Sequence, residues 1–351
     1  MKLTAILIGL HLLAVTAVAQ QSDPPREWID PDTGHRVIRL SDEPGSASLY
    51  FHQNPYTPDG QKLLITTPTG LSTINLKTRA IEKIVDGRVG VIIVGHKSGQ
   101  VYYTRTVTNN GVRQITVYAT DPNTKATREI AKLPPGASVS SVNADETLLA
   151  GIIDDKAVAA IKEGRPPAPP QPSRGDAYPG KGQMMEDRLA ERRPLQLITV
   201  NTKTAEVKTL LRGTDWYNHI QFSPTDPTLL MYCHEGPWHK VDRTWIVRTD
   251  GTQLTQIHRR TMLMEIEGHE WFAADGSGSG TTCRRHAARC FGWQVITSIA
   301  VSGSGITSSA ANGQFTSTFR RMELYSPEMA AVQIVWQHPA MGSGYISSVR
   351  R

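Results

Sequence analysis

Cysteine is scarce. Only three, Cys233, Cys283 and Cys290, occur in 351 residues. An odd, sparse set builds no disulfide framework, and the spacing of Cys283 and Cys290 matches no zinc-ligand pattern. No Lys/Arg run with interleaved aromatics is present, which argues against a nucleic-acid partner. After the first twenty or so residues no apolar stretch is long enough to cross a bilayer. The last shortage is local. Beyond Asp275 the chain contains no further Asp and no Lys, and Gly, Ser, Thr, Ala and Arg take over.

What is present begins with "MKLTAILIGLHLLAVTAVAQQ". One Lys precedes an apolar core that ends in Ala17-Val18-Ala19, a small-x-small cleavage signal before Gln20. The pattern predicts a secretory signal peptide over residues 1–19 and a periplasmic or secreted mature protein. The alternative, a membrane anchor, asks for a longer apolar core. The formal net charge of +6 favours acidic ligands without naming their class.

A short grammar recurs along the chain. "NPYTPDGQKLLIT" from Asn54, "SVNADETLLAG" from Ser141 and "QFSPTDPTLLMY" from Gln221 each place a polar turn before an apolar strand. A second signal follows: "LSTINLKTRAIEKIV" from Leu71, "ITVYATDPNTKATREIA" from Ile115 and "LQLITVNTKTAEVKTLL" from Leu195 are strand pairs around Asn/Asp/Thr turns. Repeated units of paired hairpins predict an all-β chain folded as a β-propeller, with blades starting near residues 50, 88, 137, 216 and 265. An irregular β-sandwich is the alternative. The Pro/Gly-rich stretch 162–183 cannot be a central strand and reads as an insertion in the third blade. "MMEDRLAERR" after it reads as a short helix.

The blades are expected over residues 20–277, four to five of them in frame, and residues 278–351 read as an aberrant tail. A flexible tail is one explanation. A frameshift near codons 276–280 is the sharper one. Read in the frame that starts at the third base of each codon, Gln314 to Tyr325 can spell Val-His-Phe-Asn-Val-Ser-Pro-Asp-Gly-Thr-Leu-Phe. The step from Met322 to Glu323 forces the Gly. That string restores the missing blade grammar.

The densest chemistry lies in "CHEGPWHKVDRTW", residues 233–245, and "EGHEWF", residues 267–272. With the propeller grammar, these motifs make the chain resemble the oligogalacturonate lyases, propeller enzymes that degrade pectin fragments. The carrying residues are Cys233 to Pro237, Val241-Asp242-Arg243, and His269-Glu270-Trp271 leading to Asp275-Gly276; "FHQNPYTPDGQKLL" resembles the family's first blade. The resemblance spans roughly residues 27–277. It implies seven blades, a bound Mn2+ and cleavage of short oligogalacturonates by β-elimination. It places His269 as the general base and Arg243 as a catalytic arginine, with His234, His239 and His219 as substrate contacts. The family's metal ligands, three histidines and a glutamine, have no in-frame match here.

The chemistry explains those residue types. β-Elimination removes a weakly acidic proton at C5 of the uronate, beside a carboxylate, and expels the oxygen at C4. A base near neutral pH and a nearby positive charge are both needed. Histidine suits the first role and the planar fork of arginine the second. Each residue also has a structural alternative. His269 could be a turn histidine, Arg243 a clamp on Asp242 or Glu235, the other three histidines packing groups, and Cys233 a structural thiol rather than a nucleophile. At the level of function, the alternatives are a non-catalytic periplasmic propeller that binds a partner, or an inactive relative. No membrane span is expected in the mature chain.

Overall fold

The structure is a computed structural model that describes residues 25–31, 34–109, 112–165, 180–287, 290–297, 299–302, 305–308, 331–334 and 346–349. Side chains are described, within these limits, as far as Thr281. The expected signal peptide, most of the Pro/Gly-rich insertion and the segment Gln314 to Tyr325 lie outside the described residues.

Antiparallel sheets follow one another along the chain. Two short strands come first, β1 (Glu27–Ile29) and β2 (Arg36–Ile38). Blade 1 is β3 (Ala47–Ser48), β4 (Lys62–Thr67), β5 (Gly70–Asn75) and β6 (Ile81–Asp86). Blade 2 is β7 (Gly90–Val94), β8 (Val101–Asn109), β9 (Val112–Thr120) and β10 (Thr127–Lys132). Blade 3 is β11 (Ala137–Val142), β12 (Leu148–Asp154), β13 (Leu195–Asn201) and β14 (Val207–Gly213), with helices α1 (Asp155–Lys162) and α2 (Gly180–Glu191) between its two middle strands. Blade 4 is β15 (Trp216–Phe222), β16 (Leu229–Glu235), β17 (Thr244–Arg248) and β18 (Thr255–Gln256). A fifth sheet has three described strands, β19 (Ile266–Phe272), β20 (Ser279–Ala287) and β21 (Cys290–Thr297). The remaining strands are β22 (Ile299–Ser302), paired with β23 (Gly305–Ser308), and β24 (Ala331–Ile334) and β25 (Ile346–Val349), which join β1 and β2 in one sheet.

This is the propeller expected from the repeat, with the blade starts close to the positions read from the sequence. The fifth sheet continues without interruption across residue 277.

The turn chemistry repeats with the blades. The Asn75 carboxamide oxygen accepts from the N–H groups of Lys77 and Thr78 at 3.0 and 2.8 Å. Asp121 does the same for Asn123 and Thr124, and Asn201 for Lys203 and Thr204. Each turn then passes through a left-handed residue, Arg79, Lys125 or Ala205. A side chain that mimics a backbone acceptor closes the hairpin locally.

The core is divided among the blade interfaces. Leu64 and Leu71 of blade 1 pack with Val94 and Tyr103 of blade 2. Ile92 and Val117 of blade 2 pack with Val139 and Leu149 of blade 3. Leu197 of blade 3 packs with Ile220 and Tyr232 of blade 4. Each large aliphatic side chain so buried contributes about 1.5–3 kcal/mol. The first strand of blade 3 contacts those of blades 2 and 4, so β7, β11 and β15 form the inner edge of the ring. The helices differ from the expected single short helix: α1 also forms, capped by the Asp154 carboxylate, which accepts from Ala157 N–H at 3.0 Å. Among the described residues no helix is long and apolar enough to cross a membrane.

Candidate active site

The site starts from a defect in the inner strands. In blade 4 the pairing of β15 with β16 breaks between Asn218 and Gln221. In the fifth sheet β19 breaks from β20 between Gly268 and Trp271. Both breaks are two residues wide, and both open with a histidine in the left-handed region, His219 at φ 48° and His269 at φ 56°. A bulge of this kind turns its first side chain out of the pleat, and His tolerates positive φ better than most residues.

Both histidines meet the same tripeptide of blade 1. The His219 ring lies 5.6 Å from the Tyr50 ring and 5.7 Å from the His52 ring. The His269 ring lies 5.3 Å from Phe51 and 6.4 Å from Trp238. Residues from blade 1, blade 4 and the fifth sheet therefore converge at one place on the ring.

Beneath them is a buried ionic cluster. Arg243, 1% exposed, donates from Nε to Glu270 Oε1 at 2.8 Å and from Nη1 to Glu235 Oε1 at 2.6 Å. Its Nη2 lies 3.6 Å from Cys233 Sγ. The other Glu270 oxygen bonds His219 Nδ1 at 2.9 Å, and His219 Nε2 stands 3.5 Å from Glu235 Oε2. Burial alone would raise the Glu270 carboxyl, but the Arg243 charge and the His219 bond outweigh it and hold the group down at about 2. Glu235 follows the same pattern, with burial opposed by Arg243. Glu267 does not. Burial dominates and pushes it up to about 8, although Thr244 Oγ1 donates to its Oε1 at 2.6 Å.

The imidazoles respond to burial in the opposite direction. His269 is lowered chiefly by desolvation, against the pull of Glu270. His52 falls to about 3, by desolvation first and the neighbouring His219 second. Both are neutral near pH 7, the state in which an imidazole accepts a proton.

The structure thus brings together three of the five side chains singled out in the sequence: His269, Arg243 and His219. His234 lies elsewhere, among Tyr217, Tyr232 and Trp245, with ring separations of 5.7, 5.6 and 5.2 Å. His239 is tied through its carbonyl, which accepts from Arg260 Nη1. Arg243 contacts Glu235 but not Asp242, whose carboxylate takes Arg260 Nε at 3.0 Å instead. Cys233 is the fully buried thiol that a structural role requires, raised well up by burial. Tyr50, Phe51 and His52 were not singled out in the sequence. For Phe51 and His52 the only signal was the likeness of "FHQNPY" to a first blade, and Tyr50 had none.

His219, Cys233 and Glu270 present possible ligand atoms within 4.8 Å of one another. They do not fit manganese. That ion takes oxygen and nitrogen donors, the thiol here is held protonated by burial, and both Glu270 oxygens are already engaged, one of them by a guanidinium.

Comparison with known proteins follows the same residues. Residues 186–288 match the family model described as oligogalacturonate lyase. The chain is 26% identical over 261 residues to an oligogalacturonate lyase of Dickeya dadantii, covering 71% of this chain and 61% of that protein. An oligogalacturonide lyase of Pectobacterium atrosepticum matches with the same identity and coverage. The chain therefore spans about 61% of the length of these relatives. A solved structure of an oligogalacturonate lyase in complex with manganese shares the fold, with a TM-score of 0.59 and 21% identity over 77% of this chain and 68% of that one. In sequence, over residues 186–288 above all, and in its propeller fold, the chain is thus similar to oligogalacturonate lyases.

Proposed function

We propose that the protein cleaves short oligogalacturonates by β-elimination. The observation that carries this reading is the placement of His269. Its ring is neutral, projects from a bulge, and sits between Phe51 and Trp238 beside the buried cluster. The two aromatic rings offer apolar faces to a sugar, and the imidazole offers a base to its C5 proton. The elimination breaks the C5–H and C4–O bonds and leaves a C4=C5 double bond conjugated to the carboxylate.

In this reading Arg243 works through the protein's own carboxylates. Its fork is engaged by Glu235 and Glu270, so it is a positioning residue that fixes Glu270 and, through it, His219. Positive charge also reaches His269 from Lys181 at the start of α2, and the chain's net +6 favours an acidic ligand. His234 and His239 act away from the reacting bond. The first 19 residues export the chain to the periplasm or beyond, where pectin fragments arrive.

The test is incubation with oligogalacturonates while following the ultraviolet absorbance of the conjugated uronate. Appearance of that chromophore, and its loss by about 10²–10⁴-fold in His269→Gln, is the expected result. Sugar binding that persists in wild type without any chromophore would instead mark a non-catalytic binding propeller.

A further inference from the structure

We infer that His219 is the general acid of the same elimination, donating the proton that the departing C4 oxygen needs. This rests on the lyase reading above. The inference comes from the repeated bulge. His219 and His269 occupy the same place in equivalent breaks of two inner strands, and they approach adjacent residues of one tripeptide, Tyr50 and Phe51. Two imidazoles are thus presented to one ligand position. Removal of a C5 proton needs one of them. Expulsion of an alkoxide needs the other, because an unprotonated sugar oxygen is a poor leaving group.

The surroundings separate the two roles. His269 has aromatic rings on two sides. His219 has carboxylates at both nitrogens: Glu270 at 2.9 Å on Nδ1 and Glu235 at 3.5 Å on Nε2. Glu270 is anchored by Arg243 and cannot leave. The short Nδ1 contact orients the ring. The Nε2 contact with Glu235, at 3.5 Å, is longer than a strong charge-assisted hydrogen bond, so Nε2 is the less committed nitrogen and the one assigned to the substrate oxygen. The other titratable groups facing the ring are His52 and Tyr50 of blade 1 and the Cys233 thiol. His52 is held neutral, and burial followed by the Glu270 charge pushes Tyr50 up to about 12, so neither competes as a cation.

The step balances. The C5–H electrons form the C4=C5 bond as the proton passes to His269. The C4–O bond breaks with its electrons on oxygen. That oxygen takes the proton from His219 Nε2 and leaves as a hydroxyl on the neighbouring sugar. Exchange with water resets both rings.

An acid catalyst matters most when the leaving group is poor. The experiment compares oligogalacturonate with galacturonic acid bearing a 4-nitrophenyl ether at O4, whose phenolate leaves without help. His219→Gln is expected to lose about 10²–10⁴-fold in kcat on the sugar and to stay within about tenfold of wild type on the aryl ether. His269→Gln should lose activity on both. A folded His219→Gln that fails equally on both substrates overturns the assignment. A series of ring-substituted aryl ethers on wild type provides an independent test. A shallow dependence of rate on phenol pKa supports protonation of the leaving oxygen, and a steep one rejects it. Wild type that forms no unsaturated product from the sugar overturns the lyase reading and this role together.

Discussion

The residue that decides most here is Arg243. With 1% exposure and two carboxylates on its fork, it cannot be removed cleanly. Arg243→Ala leaves two buried anions facing each other, and such a loss costs about 3–5 kcal/mol. The expected outcome is a large drop in denaturation midpoint, read by urea melts, so loss of activity in that variant is no proof of a chemical role. Arg243→Lys should recover little, because an ammonium cannot span Glu270 and Glu235 together. Glu267 gives a second prediction. Its carboxyl rises to about 8 in the fold against about 4.3 in an unfolded chain. Between those values the folded state binds the extra proton. The stability this group contributes is therefore complete below about pH 4.3 and declines as pH rises toward 8. Glu267→Gln should flatten that decline, raising the melting temperature above wild type at pH 8 while changing little at pH 5. A third concerns His269. The base must be neutral, and its pKa lies below that of an ordinary histidine. The acid limb of kcat/KM should therefore fall below about pH 6.5, with no further gain between pH 7 and 8; a limb centred above pH 7 in the pH profile would remove His269 from that role.

At the scale of elements, the bulge separates what the sequence revealed from what it hid. The hairpins around Asn75, Asp121 and Asn201 were readable because their chemistry is local: one side chain caps the turn that follows it. Blade starts were readable for the same reason. The motif "EGHEWF" drew attention to His269, but nothing in it says that Glu270 pairs with an arginine on another sheet or with a histidine 51 positions earlier. Those contacts are made by ring closure, and no spacing rule carries them. Glu270 shows the point well. It occupies the same place in its break as Ile220 does in blade 4, yet Ile220 packs in an apolar cluster and Glu270 in an ionic one. Helix α1 escaped for another reason, since its short length and the neighbouring Pro-rich stretch concealed its cap. The insertion it belongs to is separable from the blade. Asp154 pairs with Leu195 across the base of the insertion, so β12 and β13 form a continuous hairpin beneath it. Replacing residues 155–194 by a two-residue Asn-Gly turn should leave the β-sheet circular dichroism intact. It should also raise KM, because Glu186 of α2 holds Lys240 at 2.8 Å next to the motif loop and Lys181 is lost.

At the scale of the whole molecule, charge and topology act together. The substrate class proposed is polyanionic and the chain is basic, so added salt should raise KM and leave kcat nearly unchanged. A kcat that falls in step with the rise in KM would place the electrostatic effect in the chemistry. The ring itself contributes by geometry. Blade 1 is far from the fifth sheet in sequence, yet Phe51 touches His269. Every intervening blade must stack correctly for that contact to form, so the site reports on the integrity of the propeller as a whole.

The paired breaks in β15 and β19 have a consequence for how such a site changes over time. Blades 2 and 3 also shift register in their inner strands, but skip only Ile92 and Ser140 respectively. All four breaks carry one extra residue on the inner strand, and those of β15 and β19 also leave one partner residue, Tyr232 or Thr281, outside the register. The position is a socket, and its occupant can be exchanged without rebuilding the hairpin that holds it. A lineage of these proteins can thus exchange the side chain at this position by substitution in a single strand, while the packed interfaces between blades remain untouched.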